Sequence, residues 1–107
     1  MSTARLTWTF PTSRVDPTAP PLVAGGLSYY AFDTASPTPS VPIASSGGYS
    51  PGDAGSAAIL NLVPGSNHGF YVIDGDGSLL SAPSATINVT MPSSPPNPVT
   101  NFNVAVF

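Results

Sequence analysis

Leu6-Thr7-Trp8-Thr9-Phe10 alternates bulky apolar side chains with threonine, a period of two that puts Leu6, Trp8 and Phe10 on one face of an extended strand. Pro11 follows, and its missing N–H ends any ladder there. The strand is therefore expected over Arg5 to Phe10, with a long loop from Pro11 to Gly26 that carries Pro11, Pro17, Pro20 and Pro21 and is released by Gly25-Gly26.

The same punctuation recurs along the chain. Fourteen prolines and ten glycines cluster between short aromatic or β-branched runs, and no window has a helical period, so the fold class is all-β. Strands are expected over Leu27 to Thr34, with Leu27, Tyr30 and Phe32 inward, and over Ser56 to Leu62 and His68 to Ile73, joined by Val63-Pro64-Gly65-Ser66-Asn67. Ser84 to Met91 is a further strand with Ile87 and Val89 inward, and Val41 to Ala44 is an edge candidate interrupted by Pro42. These make about six short strands. Beyond Met91, Pro92 to Pro98 is a stiff linker, and Val99 to Phe107 alternates again through Phe102, Val104 and Val106. The chain divides into a single domain over residues 1–91, a linker over 92–98 and a strand-like tail over 99–107.

Composition narrows the function. At 107 residues one core is expected, and 41% apolar residues suffice to build it without disulfides, which the absence of Cys excludes together with thiol catalysis and Cys-based zinc sites. Two Arg, no Lys and five Asp leave a net charge of −3, too few cations to neutralise a row of phosphates, so nucleic acid is not an expected partner. No apolar run is long enough to span a bilayer, and Met1 to Thr9 lacks the basic start and apolar run of a signal peptide. Lysine is the usual guard of exposed sheet edges, so a Lys-free β protein either relies on Pro and Gly or uses its edges for assembly.

Between Arg5 and Met91 the chain resembles bacterial and phage fibronectin type III domains. Leu6-Thr7-Trp8-Thr9-Phe10-Pro11 is similar to that family's second strand with its core Trp, and Leu27-Ser28-Tyr29-Tyr30-Ala31-Phe32 to its third. Leu62-Val63-Pro64-Gly65 resembles the Leu-x-Pro-Gly corner, Phe70-Tyr71-Val72-Ile73-Asp74 the sixth strand, and Ser81-Ala82-Pro83-Ser84-Ala85-Thr86 the opening of the last. The resemblance implies an immunoglobulin-like sandwich of two antiparallel sheets. One departure is His68, standing where the family usually has a Tyr whose hydroxyl ties down the corner.

Motifs that look chemical have plainer readings. Asp74-Gly75-Asp76-Gly77 has the alternating Asp of a calcium loop, but counted from Asp74 it has Gly at position four and Ala85 at twelve, where an EF-hand needs Gly at six and Glu at twelve. A hairpin turn suits it better. His68 is the only His, no Gly-x-Ser-x-Gly elbow occurs, and no two of the five Asp are placed as a catalytic pair, so no enzyme, metal or cofactor is expected. Asn88-Val89-Thr90 fits a glycosylation sequon inside an expected strand, and Arg14-Val15-Asp16 reads as a solvated loop. Tyr29, Tyr49 and Tyr71 are the candidates for an outward, sugar-binding aromatic set, with Trp8, Tyr30, Phe32 and Phe70 in the core.

In the family frame the first strand is absent before Leu6, whereas Pro95-Pro96-Asn97-Pro98-Val99-Thr100-Asn101-Phe102-Asn103-Val104 resembles such a lead and first strand. The tail can complete a neighbouring subunit by strand addition, fold back to complete its own sandwich, or open a following domain of a tandem array. Partner-binding residues are then Val99, Phe102, Val104, Val106 and Phe107. The expected function is a non-enzymatic structural or assembly protein, a phage virion component such as a capsid decoration or tail-associated subunit, made in the host cytoplasm and bound to other protein subunits. The alternative is an adhesion or carbohydrate-binding module of a larger secreted bacterial protein, touching polysaccharide or a cell surface.

Overall fold

The computed structural model describes residues 2–107, so Met1, which the expected domain includes, lies outside the described residues. Six strands and no helix make up the described chain: β1 (Ser2–Thr9), β2 (Leu27–Asp33), β3 (Ala44–Tyr49), β4 (Ala54–Leu62), β5 (Asn67–Gly75) and β6 (Ile87–Thr90). β1 and β4 form one antiparallel sheet, and the second, also antiparallel, has the order β3-β2-β5-β6. Phe10 and Ala57, from the side of the two-stranded sheet, pack with Leu27, Tyr29 and Ala31 of β2 in one cluster, so the two sheets face each other in a sandwich-like arrangement. A second cluster of Leu62, Phe70 and Met91 closes the end where β4 turns into β5.

Alternation decides which side chains enter the core, and in β2 it buries Leu27 as expected but turns Tyr30 and Phe32 the other way. Leu27, Tyr29, Ala31 and Asp33 are buried, while Tyr30 and Phe32 face outward. Both parities of this strand carry aromatics, so hydrophobicity alone does not choose between them. The stacked pair of Phe10 on Tyr49, at 4.6 Å, and the edge contact of Trp8 with Tyr29, at 4.7 Å, make the observed sense the one that fills the space between sheets. Burial raises the Tyr29 hydroxyl above its ordinary pKa, with Tyr49 adding to the effect.

β1, β2, β4 and β5 differ from expectation by one to three residues at their ends, and three other segments differ more. β3 occupies Ala44–Tyr49 rather than Val41 to Ala44, because Pro42 cannot join the ladder and the pairing of Tyr29 with Ser46 recruits the small residues that follow. β6 is confined to Ile87–Thr90, since Pro83 interrupts the approach, although the Ser84 N–H still donates to the Val72 carbonyl. Val99 to Phe107 joins no ladder among the described residues and is exposed throughout.

Two glycine positions illustrate the local demands. Trp8 lies opposite Gly55 across the β1–β4 ladder, and its indole occupies the space that a side chain at Gly55 would need. Gly65 takes φ +79° in the β4–β5 turn, a conformation L-residues rarely adopt. Near the end of β4, Asn61 at φ +60° marks a bulge: Ser2 pairs with Leu62 and Ala4 with Ile59, so β4 spends one residue more than β1.

Candidate functional site

Four places in the molecule carry polar or unpartnered chemistry. The first is the C-terminal segment. Val99, Phe102, Val104, Val106 and Phe107 are all exposed, from 69% for Val104 to full exposure for Phe107. With this segment projecting, the molecule extends 74 Å along its longest axis and has a radius of gyration of 19.3 Å, against roughly 13 Å for a compact chain of this length. The five partner-binding residues expected from sequence thus lie together on one unpacked arm.

The second place is the outer edge of β1. Within an antiparallel ladder only alternate residues bond to a given neighbour. Phe10 N–H donates to the Asp53 carbonyl at 2.8 Å, which sets the phase: Ala4, Leu6 and Trp8 bond toward β4, whereas Arg5, Thr7 and Thr9 direct their backbone groups outward. No strand among the described residues meets them. Ala4, Leu6 and Trp8 point toward the opposite sheet yet are only half-buried. Across from this edge, Ile87 of β6 is 67% exposed, although Val89, on the same face of the strand, packs into the second cluster. Ile87 was expected inward. It does lie on the inner face, but nothing covers it. A slot of about 100 Å³ opens here, lined by Trp8, Phe10, Val72, Asp74 and Ser84 among others.

The third place is a buried polar chain at the β4–β5 end. His68 Nδ1 lies 2.6 Å from Asp33 Oδ2, and His68 Nε2 lies 2.7 Å from Ser66 Oγ. Asp33 Oδ1 accepts the Ala35 N–H, and the Ser66 hydroxyl lies 2.6 Å from the Val63 carbonyl. The imidazole stacks flat on Phe70. If Ser66 donates to Val63, then His68 Nε2 donates to Ser66 and the ring carries both protons. If Ser66 donates to the ring, the Val63 carbonyl keeps the Ser66 N–H as its donor. Either arrangement satisfies every member and ties the turn to the end of β2. The connectivity is that of a Ser-His-Asp triad, which sequence reasoning did not assemble because Asp33 comes from another strand.

The fourth place is the opposite pole. The loop over residues 11–26 and the turn over residues 76–81 enclose a cavity of about 660 Å³ bordered by Leu22, Leu27, Leu79 and Leu80. Arg14 joins the two segments: Nη1 donates to Asp76 Oδ2 and Nε to the Pro20 carbonyl, each at 2.6 Å. Arg14 is thus half-buried in an ion pair rather than free in a solvated loop, whereas Val15 is fully exposed. Asp76 also accepts the N–H groups of Ser78 and Leu79, and Gly77 takes φ +91°, so the tight turn runs over Asp76–Leu79, while Asp74 and Gly75, expected in the turn, still belong to β5. The Leu79 N–H, the Arg14 side chain and the Ser78 N–H, in that order, hold the Asp76 carboxyl well below the usual carboxylate range.

The tyrosines do not form one outward set. Of the three expected outward, Tyr29 is buried, Tyr49 packs on Phe10, and Tyr71 faces outward, stacked on Phe32 at 5.0 Å. Among the described residues no group of three or more His, Asp, Glu or Cys could hold a metal ion, and no helix is long and apolar enough to cross a membrane. The chain matches no protein-family model, no curated protein and no solved structure.

Proposed function

We propose that the chain is a non-enzymatic assembly module of fibronectin-type-III-like fold that joins neighbouring protein subunits through Val99–Phe107. One observation carries this reading: five large apolar side chains on a single segment, all exposed and packed against nothing in their own molecule. An apolar arm of this kind gains by being covered, at roughly 25 cal/mol per Å² of apolar surface removed from water, which favours association.

The fold assignment is supported by the order of the strands. A two-stranded sheet of β1 and β4 facing β3-β2-β5-β6 is the family's arrangement without its first strand. A phage virion subunit, decorating a capsid or attached to a tail, is the most concrete setting, supported by the Lys-free, sparsely charged surface and the projecting arm. An adhesion or carbohydrate-binding module is the second reading, and the outward Phe32–Tyr71 stack favours it. Photo-crosslinking separates the two. A photoreactive phenylalanine analogue at Phe102 is expected to give a discrete adduct with a protein subunit, while the same analogue at the equally exposed Val15 gives none. Equal labelling from both positions, or none from Phe102, refutes the arm.

A further inference from the structure

We infer that the arm's receptor is the outer edge of β1 in a second copy of this chain, where Val99–Phe107 adds as an antiparallel strand and links copies head to tail. The inference rests on the reading of the segment as an assembly arm, and it names both the partner and the surface.

Donor and acceptor match in three independent respects. The first is backbone chemistry. Arg5, Thr7 and Thr9 present unpaired N–H and C=O groups along an edge eight residues long. Residues 99–107 contain no proline, so each of the nine can donate its N–H, in contrast to the preceding linker with Pro92, Pro95, Pro96 and Pro98. The second is the apolar surface. Half-buried Leu6 and Trp8 on one sheet and exposed Ile87 on the other offer apolar surface to an inward row of Phe102, Val104 and Val106, while Asn101, Asn103 and Ala105, with Val99 and Phe107 at the two ends, lie on the other face of the added strand. The third is availability: Val99–Phe107 is exposed throughout and pairs with no strand among the described residues.

Direction favours a second copy over the arm's own molecule. Ser2 pairs with Leu62 at the β4–β5 end, and Met91 is held at that same end by bonds to Gly65 and Ser66. A strand antiparallel to β1 must start at the far end, about 24 Å away over the seven steps from Ser2 to Thr9 at ~3.4 Å each. The linker covers eight steps from Met91 to Val99, about 25 Å in the polyproline conformation its composition favours, which leaves almost nothing for the reversal of direction. Another molecule's arm meets no such limit.

Two full-length variants test the inference by light scattering. Phe102→Asp/Val104→Asp disables the arm. Thr7→Pro removes an outward N–H from an edge strand, a place where proline is tolerated. The parent is expected to grow in mass with concentration, each variant alone to stay at the 10.8 kDa of one chain, and their equimolar mixture to form a dimer and stop there. Ile87→Asp, altering a side chain already in solvent, is a second disabled receptor should Thr7→Pro fail to fold. A monomeric parent overturns the second copy as partner, and is the result expected if the arm folds back on its own β1. Undiminished association of both receptor variants overturns the β1 edge while leaving the arm reading intact. Undiminished association of the arm variant overturns both.

Discussion

Replacing His68 by Phe isolates what the buried Ser66–His68–Asp33 chain contributes. Phe preserves the flat stack on Phe70 and removes only the two ring nitrogens. Asp33, 5% exposed, then keeps the Ala35 N–H on Oδ1 but loses its partner on Oδ2, and Ser66 keeps only the Val63 carbonyl. Leaving a buried charged group without its partner costs about 3–5 kcal/mol, and hydrogen bonds to charged groups contribute about 1.5–3 kcal/mol. The His68 side chain is 13% exposed at the end of the sandwich, where water can reach the orphaned carboxylate, so the lower part of that range applies. The expected loss is about 2–4 kcal/mol, a large share of the roughly 5–15 kcal/mol that holds a domain of this size together. Urea denaturation measures it as a fall in midpoint at constant slope. The double variant Asp33→Ala/His68→Phe removes both partners and is expected to be at least 1.5 kcal/mol more stable than the sum of the single losses, on the order of magnitude found for coupled neighbours. Additivity within about 0.5 kcal/mol would refute the claim that the three side chains act as one tie.

Further consequences follow from the core and the poles. Gly55→Ala places a methyl group in the space held by the Trp8 indole, with an expected loss of about 1–3 kcal/mol and a shifted tryptophan emission. Phe10→Ala empties one of the two most buried large positions and should cost about 3–5 kcal/mol in the same denaturation assay. Asp76 has a folded-state pKa depressed below its ordinary 3.8, so its contribution is present above that value and is lost as pH falls toward the folded value. The stability gap between the parent and Asp76→Ala, followed by thermal denaturation, should hold from pH 7 to about pH 5 and narrow in stronger acid.

The legible part of the fold was the part that local chemistry determines. Leu6-Thr7-Trp8-Thr9-Phe10 announces its strand because a single parity is apolar, and observed β1 keeps that sense. β2 announces a strand but not its inward face, because Tyr29, Tyr30 and Phe32 occupy both parities. What selects Tyr29 is Trp8, 21 residues earlier, together with Tyr49, 20 residues later. β3 is built from Ala-Ser-Ser-Gly-Gly-Tyr, a run with little intrinsic strand preference that extends because β2 offers it a ladder. The polar chain through His68 was legible only as an odd residue at a corner. Its meaning depends on Asp33, which is 35 positions away and has no local reason to be buried.

The arm and the β1 edge follow from the same physical requirement seen from its two sides. A strand is stable only when its backbone groups are paired and one face is covered, and a lone alternating segment in water has neither. Val99–Phe107 has the alternation of a strand and yet forms none, because no ladder in its own molecule reaches it. β1 has one ladder, to β4, and its inward side chains stop at half-burial because no strand lies on the other side. The apolar surface left open at Leu6, Trp8 and Ile87 is a cost to the isolated molecule, as is the exposed row on the arm. Pairing one with the other removes both costs at once and consumes a free edge on which Arg5 is the single charge. In the proposed assembly β1 acquires its second ladder and the arm acquires its first.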